Sequence, residues 1–592
     1  MPGILHKFGQ FWQELKRRRV IHVITVYATS SFILIELVNN LSEPLNLPAR
    51  LPTIVIIILA AGFPLAVILS WLYDLTSEGV EKTKPLSELK EGEKRAVPNA
   101  WKIATYISFV LIIGLVALNV MDGDKQLRAG DIQSLVILPF KNFTGDVQLD
   151  RYVEGMHAKL IVDMQRVSGC DVLNRTSSNV YKDVDMRVHE IASELDADAV
   201  IEAEVMCLSD DTICFQLKMI SEFPEERTLW IADYKEAKSQ IPNLYNRITK
   251  QFAEEVKIEL TADEDRILAE TYTVDPEAVD AYINGLAYLD MLNKDSLQTA
   301  SEYFNSAINI EPDWAPAYAG LAEVGAYQQQ MGFVPPSIAI PKIYENLNKV
   351  QELNPNSAVS HYIIAVIAVW TEWNWEKGEK EFLKSLELNP SNALCRMFYS
   401  HLLMILQRSD EATTQAKEAL RLDPLRPFIL ALYSVVLRNT GDYESAKIQA
   451  LKALSIDPYH YFSKRQLHKV YNLQGDHNKA FELFLEGKQF VFDEETIAEL
   501  LETFDEQGHH AALEKVIIEY NKTMQDRYSL DLAGIYAFVN RYDEALLCLE
   551  NAYEMRNPNM PYISTGYWHD SIRNDPRYIE LLKKMNLPLP EN

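Results

Sequence analysis

The N-terminal part of the chain holds three long runs of apolar residues, Val20–Asn39, Leu51–Tyr73 and Ile103–Met121. A helix needs about 20 predominantly apolar residues to cross the hydrocarbon core of a bilayer. The first two runs meet that length and the third just reaches it. Because three such runs stand so close together, the pattern favours membrane helices over buried helices of a soluble core. We therefore predict a membrane anchor over residues 20–122, preceded by a short N-terminal segment, residues 1–19.

Basic residues flank these runs unequally. The segment Lys16–Arg19 is entirely basic and precedes the first run, and further Lys and Arg residues separate the second run from the third. Only Arg50 lies between the first and the second. By the positive-inside rule, residues 1–19 are then cytoplasmic, and the bulk of the chain lies on the far side of the membrane. This predicts a multi-pass protein of a bacterial inner membrane with a periplasmic C-terminal bulk; the inverted topology is the alternative.

Residues 131–262 alternate strand-like and helix-like patterns. Leu135–Leu138 is a continuous apolar run, typical of a central strand covered on both faces, and Tyr152–Val167 has apolar residues at helical spacing. Ala199–Leu208 and Ile213–Ile220 indicate a hairpin. If Leu208 pairs with Ile213, Cys207 faces Cys214 at a separation that a disulfide can bridge. The pattern predicts an α/β domain with a mixed sheet, and the two cysteines are either bridged or two buried free thiols.

The motifs "VILPFKNFTGD", "YVEGMHAKLIVDMQRVSGCDVLNRTSS", "VHEIASELDADAVIEAEV" and "LWIADY" occur in that order within this segment. The segment resembles the TolB N-terminal/FlgO-like domain. That resemblance implies an interaction module, which in this family often follows a membrane anchor and precedes tetratricopeptide repeats. It implies no catalytic residues.

Similar phrases that contain a proline recur through the C-terminal half: "NIEPDW", "ELNPNS", "ELNPSN", "RLDPLR" and "SIDPYH". Their prolines stand at positions 312, 355, 390, 424 and 458, so the spacing settles at 34 residues. A 34-residue period is that of the tetratricopeptide repeat (TPR), a helix–turn–helix unit. We predict an all-α TPR solenoid over residues 276–592 with about eight repeats. The longer first interval predicts an inserted loop at Met331–Pro341.

A solenoid of this kind presents a concave groove lined by the first helix of each pair. The helical phase predicts a peptide groove that is apolar at one end and basic at the other; the alternative is that several of these residues pack against the next repeat. The candidate groove residues are Ser360, Ile363, Ile367, Trp370, Met397, His401, Met404, Phe428, Val435, Arg438, Asn439, Arg465, Lys469 and Asn472.

Charge and composition narrow the function. The net charge is −27, and residues 1–102 carry +3, so the remaining chain carries −30. Such an acidic body argues against nucleic-acid binding. Five cysteines do not make a disulfide scaffold, and the chain contains no recognisable catalytic or zinc motif. We therefore expect no metal, no cofactor and no enzyme activity.

The sequence as a whole predicts a membrane-anchored, non-catalytic scaffold that binds a protein or peptide partner in its TPR groove. Two alternatives stay open. One is a transmembrane signalling sensor, and the other is an enzyme related to nucleotide cyclases. The sequence leaves the partner and the oligomeric state undetermined.

Overall fold

The computed structural model describes residues 20–42, parts of 55–82, 131–209, 212–221, 227–269, 273–289, 291, 293–331, 333–488, 491–523, 530–565 and 571–590. The chain divides into two compact units, Met1–Gln126 and Leu127–Asn592.

In the first unit, helix α1 (Val20–Ser42) precedes a hairpin of strands β1 (Tyr73–Thr76) and β2 (Gly79–Lys82). The hydroxyl of Tyr27 on α1 donates a hydrogen bond to the carbonyl oxygen of Leu59 at 2.7 Å. This bond ties α1 to the following segment of the same unit.

The prediction of three membrane-spanning helices is wrong for this structure. Among the residues described, no helix combines the length and the apolar character that a bilayer crossing requires. The first apolar run does form α1, but polar Ser30, Ser31 and Glu36 interrupt it. Tyr73, the expected end of the second span, begins a strand. The predicted location, a multi-pass protein of the inner membrane with its C-terminal bulk in the periplasm, depended on these spans. It is therefore contradicted as well.

The third predicted span, residues 103–121, and the segment 1–19 lie outside the described residues. Only scattered positions of the second span are described.

The second unit begins with a mixed sheet. Its strands are β3 (Ser134–Ile137), β4 (Lys141–Asn142), β5 (Asp171–Val172), β6 (Ala199–Leu208), β7 (Thr212–Ser221) and β8 (Arg227–Ala237). They are arranged in the order β5-β3-β6-β7-β8, with β4 paired to β6. Strand β3 runs parallel to β5 and β6, whereas β6, β7 and β8 form an antiparallel meander.

Five helices accompany the sheet: α2 (Asp150–Met164), α3 (Arg175–Asn179), α4 (Val188–Leu195), α5 (Ile241–Glu255) and α6 (Ala262–Ala269). Every residue of β3 is buried, as its continuous apolar run predicted. Along β7, buried and half-buried residues alternate until its last residues, which fits a strand with one face on the core.

Seventeen further helices are described from Pro276 onward, and consecutive helices pack in pairs. The first eight are α7 (Pro276–Leu289), α8 (Lys294–Ile310), α9 (Ala315–Gln330), α10 (Pro336–Leu353), α11 (Ala358–Ile367), α12 (Trp375–Leu388), α13 (Ala393–Ile405) and α14 (Ser409–Leu422). The others are α15 (Pro427–Asn439), α16 (Tyr443–Ile456), α17 (Tyr461–Leu473), α18 (His477–Glu486), α19 (Glu494–Gln507), α20 (His509–Thr523), α21 (Leu530–Phe538), α22 (Tyr542–Glu554) and α23 (Pro576–Lys584).

Small residues allow the paired helices to approach closely. Ala412 and Ala419 on α14, and Ala446 and Ala453 on α16, are completely buried. A 3₁₀ segment, Met560–Thr565, follows the last of the eight pairs, α21 and α22, and leads towards α23. The packed helix pairs form a TPR-like solenoid, which makes the second unit mostly helical. The sheet region is the smaller part of this unit.

The sheet region is packed directly against the solenoid. Gly155 on α2 lies so close to α7 that a Cβ atom there would be 2.1 Å from the carbonyl oxygen of Ile283. On another side, the hydroxyl of Ser177 donates to Asp423 at 2.6 Å, and both residues are fully buried. The backbone N–H of Asn174 donates to the carbonyl of Leu422 at 2.9 Å. The two regions therefore share a buried interface.

Candidate functional site

The first helices of successive pairs surround a cavity of about 1160 Å³. This volume exceeds the range of about 300–1,000 Å³ that is typical of small-molecule pockets. The walls come from α9, α11, α13, α15 and α17, and α21 and the 3₁₀ segment Met560–Thr565 also contribute. The space inside the solenoid can therefore accept a ligand larger than a metabolite.

One end of the cavity is aromatic. The rings of Trp370 and Phe398 meet edge to face with centroids 5.3 Å apart, and Phe428 continues the surface at 6.2 Å from Phe398. Tyr562 of the 3₁₀ segment reaches this end from the C-terminal part of the chain.

Tyr562 is fixed by two hydrogen bonds. The indole N–H of Trp370 donates to its hydroxyl oxygen at 3.2 Å, and Nδ1 of His401 lies 3.0 Å from the same oxygen. Nε2 of His401 lies 3.2 Å from the carbonyl oxygen of Leu432 and donates to it. Burial lowers the pKa of His401 to about 4. In the neutral ring Nδ1 carries no proton, so it accepts a hydrogen bond from the hydroxyl group of Tyr562.

Another part of the cavity lining is basic. We call Arg438, Arg465, Lys469 and Lys488 the basic wall; all four line the cavity. Asp531 on α21 is a carboxylate beside this wall: Arg465 contacts it at 2.8 Å and Lys488 at 3.5 Å. Burial alone would raise the pKa of Asp531, but Arg465, Lys488 and Lys469 hold it below its usual range.

Lys469 has the most unusual environment of the four. Among the residues that the structure describes, its ammonium group has no hydrogen bond and no carboxylate within 4.0 Å. Burial, followed by the charges of Arg465 and Arg438, lowers its pKa well below the usual value, and Asp531 opposes this shift. An anion placed beside Lys469 would relieve this repulsion.

An acid lies on the side of the cavity formed by α9. Burial raises the pKa of Glu323 to about 7, although the charge of Arg426 and a hydrogen bond from Tyr327 act in the opposite direction. Most of the cations in the lining lie on α15, on α17 and in the segment after α18, and Arg573 is a further one.

The structure brings most of the predicted groove residues together. All but three of the candidates line the cavity. Those that line it are Ile363, Ile367, Trp370, His401, Phe428, Val435, Arg438, Asn439, Arg465, Lys469 and Asn472.

Met397, Met404 and Ser360 do not line it. Met397 and Met404 are completely buried among the packed helices, because α13 is enclosed on nearly all sides and its helical phase does not single out the cavity face. Ser360 is likewise buried. These three residues are packed within the array.

Sequence reasoning missed Tyr562, Asp531, Lys488 and Glu323. The first two belong to the C-terminal part of the chain and enter the cavity through long-range packing, which no local pattern reports. Glu323 stands on the first helix of its pair, four residues before Tyr327, so repeat phase could have identified it.

Cys207 and Cys214 lie opposite each other in the β6–β7 ladder, and Leu208 pairs with Ile213. Their Cα atoms are 4.8 Å apart and a disulfide joins them. The other three cysteines, Cys170, Cys395 and Cys548, are buried, and none of them takes part in this disulfide. Within the described ranges, no cluster of three or more His, Cys, Asp or Glu residues could hold a metal ion.

Comparison with known proteins identifies the repeats. The family model of the tetratricopeptide repeat matches residues 429–460. The matched segment begins within α15 and includes all of α16, which form one of the packed pairs. It lies largely between Pro424 and Pro458, the prolines of two successive phrases.

Two curated relatives are similar over part of the chain. A protein named as adenylate cyclase 3 of Rhizobium meliloti (strain 1021) is 24% identical over 246 residues, which is 40% of this chain and 40% of that protein. The human protein O-mannosyl-transferase TMTC3 is 30% identical over 129 residues, 22% of this chain and 13% of that protein. The chain therefore spans less than half of either relative.

Among solved structures, the thermophilic TPR protein TTC0263 of Thermus thermophilus matches with 17% identity and a TM-score of 0.27. The match covers 33% of this chain and 98% of that one. The family match at residues 429–460 and the succession of packed helix pairs together establish that this chain contains tetratricopeptide repeats.

Proposed function

We propose that this protein is a non-catalytic scaffold that holds a segment of a partner protein inside its TPR solenoid. The observation that carries the proposal is the cavity of about 1160 Å³, which is lined by the first helices of the repeats. Its aromatic end can bury apolar groups of a ligand, and its basic wall can bind negatively charged ones. A peptide can carry both kinds of group on its side chains.

The sheet region fits this proposal as a rigid part of the scaffold. We propose that it is the TolB N-terminal/FlgO-like module that its motifs resemble. Because Ser177, Asn174 and Gly155 hold it against the solenoid, it serves as a fixed docking surface beside the cavity and not as a flexible spacer.

Site-specific photocrosslinking tests the proposal. A photoreactive amino acid replaces Val435, which lines the cavity, in the full chain expressed in its native cells. The matched control replaces Leu451, which is 44% exposed and does not line the cavity. We expect a discrete adduct with a partner protein from position 435 and not from position 451. Adducts from position 451 alone would refute binding in the cavity.

A second candidate function is nucleotide cyclisation, which is favoured by the name of the Rhizobium meliloti relative. Incubation of the purified chain with ATP or GTP and divalent cations tests it by chromatography of the nucleotides. The scaffold proposal predicts no cyclic product, and turnover that scales with protein concentration would replace it with an enzymatic function.

A further inference from the structure

The lysines that line the cavity differ in whether a carboxylate holds them. Among the described residues these lysines are Lys464, Lys469 and Lys488. Lys464 contacts Glu486 at 2.9 Å, and Lys488 contacts Asp531 at 3.5 Å. Within the described part of the chain, Lys469 has neither a hydrogen bond nor a carboxylate within 4.0 Å of its amine. Its amine therefore faces the cavity without a protein partner.

The surroundings of Lys469 favour the neutral form of this amine. Lys469 follows Arg465 by four residues on α17, so the two side chains lie on the same face of the helix. Burial, followed by the charge of Arg465, lowers the pKa of Lys469 well below its usual value. A desolvated lysine beside another cation carries a free lone pair on its nitrogen, which makes it a nucleophile. The cavity gives a small reactant access to it.

The same surroundings favour a negatively charged product. Arg465 contacts one carboxylate oxygen of Asp531 at 2.8 Å, and Lys488 contacts the other at 3.5 Å. These two cations therefore share a single carboxylate. An anionic group on the nitrogen of Lys469 would lie close to both of them and would be stabilised by their charges.

We propose that the amine of Lys469 combines reversibly with carbon dioxide to form a carbamate. The nitrogen lone pair attacks the carbon of carbon dioxide, and a nitrogen–carbon bond forms. The electron pair of one carbon–oxygen π bond moves to its oxygen, which becomes negatively charged, and the nitrogen releases one proton to water. No group is oxidised or reduced. The modification goes beyond the proposed scaffold function and does not depend on it.

The charge of the product favours carbon dioxide over an aldehyde or a ketone. A carbonyl compound would convert the amine to an imine, whose nitrogen is neutral or positively charged and gains nothing from Arg465 and Lys488. A carbamate is an anion, so these cations stabilise it. Its formation would also replace a basic group of the cavity lining by an acidic one, and thereby change which ligands the cavity accepts.

Chemical trapping tests the proposal on the full chain. The purified protein is equilibrated with isotopically labelled carbon dioxide near neutral pH, and triethyloxonium then converts each carbamate to a stable ethyl ester that mass spectrometry of peptides locates. Lys452 on α16 is the internal reference, because it is exposed and does not line the cavity. We expect at least about tenfold more label on Lys469 than on Lys452, since the reaction requires a neutral amine. Removal of carbon dioxide before trapping should abolish the label.

Three variants test the roles of the neighbouring charges. Lys469→Arg keeps a positive charge but cannot form the carbamate, so it should lose the label and leave that on Lys452 unchanged. Arg465→Gln should reduce the label on Lys469 several-fold, because a stabilising cation is lost. Asp531→Asn should increase it several-fold, because Arg465 and Lys488 no longer share their charge with this carboxylate. A general loss of structure would not move the label in opposite directions.

The outcomes that would overturn the proposal are distinct. A label on Lys469 no stronger than that on Lys452 would refute a selective site. Changes in the same direction in Arg465→Gln and Asp531→Asn would refute stabilisation by the cations. If acetaldehyde with borohydride modifies Lys469 while carbon dioxide does not, the assignment of carbon dioxide is overturned. None of these results bears on the crosslink at Val435, so failure of this proposal is distinguishable from failure of the scaffold function.

Discussion

The hydroxyl oxygen of Tyr562 lies 3.2 Å from the indole nitrogen of Trp370, although 192 residues separate the two along the chain. Repeat arrays are stabilised mainly by contacts between neighbouring units. Here the 3₁₀ segment Met560–Thr565, which follows the last helix pair, contacts Trp370 in an early part of the array. The C-terminal 3₁₀ segment is therefore part of the cavity wall, and the shape of the binding site depends on it.

The first prediction concerns that contact. Tyr562→Phe removes a hydroxyl that accepts from Trp370 and donates to His401, and it leaves both partners without that hydrogen bond. We expect a loss of about 1–3 kcal/mol in the free energy of unfolding, measured by denaturant titration. Tyr459→Phe is the matched control, because Tyr459 is 88% exposed and should tolerate the change. Equal stability of the two variants would contradict the role assigned to Tyr562.

The second prediction concerns the close approach of α2 and α7. A Cβ atom at Gly155 would lie 2.1 Å from the backbone oxygen of Ile283, so Gly155→Ala forces the helices apart. We expect destabilisation of at least about 1–3 kcal/mol, the usual cost of overpacking. Calorimetry should show a lower melting temperature than that of Ser193→Ala, a substitution on the exposed face of α4. An unchanged melting temperature would mean that this interface is looser than described.

The third prediction concerns the buried junction of the sheet region with the solenoid. Ser177→Ala removes the donor to Asp423 and the acceptor for the N–H of Leu425. We expect a loss of about 1–3 kcal/mol that appears on both sides of the junction. Hydrogen exchange should report faster opening in β3 and in α14 together. Faster exchange in the sheet alone would show that the two regions unfold independently.

The fourth prediction concerns acid stability. Burial lowers the pKa of His401, His468 and His509 to about 4, and burial together with Arg175 lowers that of His157 to about 3. The unfolded chain binds these protons near pH 6.5, whereas the folded chain does not. Stability should therefore fall as the pH decreases from about 6.5 towards 4, by at most about 1.4 kcal/mol per pH unit for each histidine.

The raised pKa of Glu323 acts in the opposite sense, since its contribution is lost as the pH rises from about 4.5 to 7. Urea titrations at several pH values measure the sum. His401→Gln, which keeps hydrogen-bonding groups but cannot titrate, should flatten the acid side of the profile. A profile that is the same with and without this substitution would contradict a neutral, buried His401.

Local patterns predicted the repeats because their period is written in the proline-containing phrases, and one of these intervals coincides with α15 and α16. Local patterns could not predict the contacts of Tyr562 or Asp531, because these contacts join residues far apart in the chain. They depend on how many helix pairs lie between the two partners. The inserted loop expected at Met331–Pro341 is partly wrong for a local reason. Pro336 begins α10 and Pro341 lies inside that helix, where the 3.6-residue pattern continues through the proline.

The membrane prediction failed because an apolar run reports only that side chains avoid water. It does not distinguish a lipid environment from a protein one, and α1 contains Ser30 and Glu36 within its length. The helical phase of Met397 and Met404 is ambiguous for a related reason, because a helix that is buried on several sides, such as α13, has no single apolar stripe.

The proline-containing turns of the array differ in what they contact. Ser391, in one such turn, accepts a hydrogen bond from the backbone of β5, and Asp423, in the next, accepts one from Ser177. Similar phrases therefore occupy positions that are not interchangeable. A shift of these two turns by one repeat would remove the hydrogen bonds that hold the sheet against the array. The sheet therefore fixes which repeat must stand at which place in this chain.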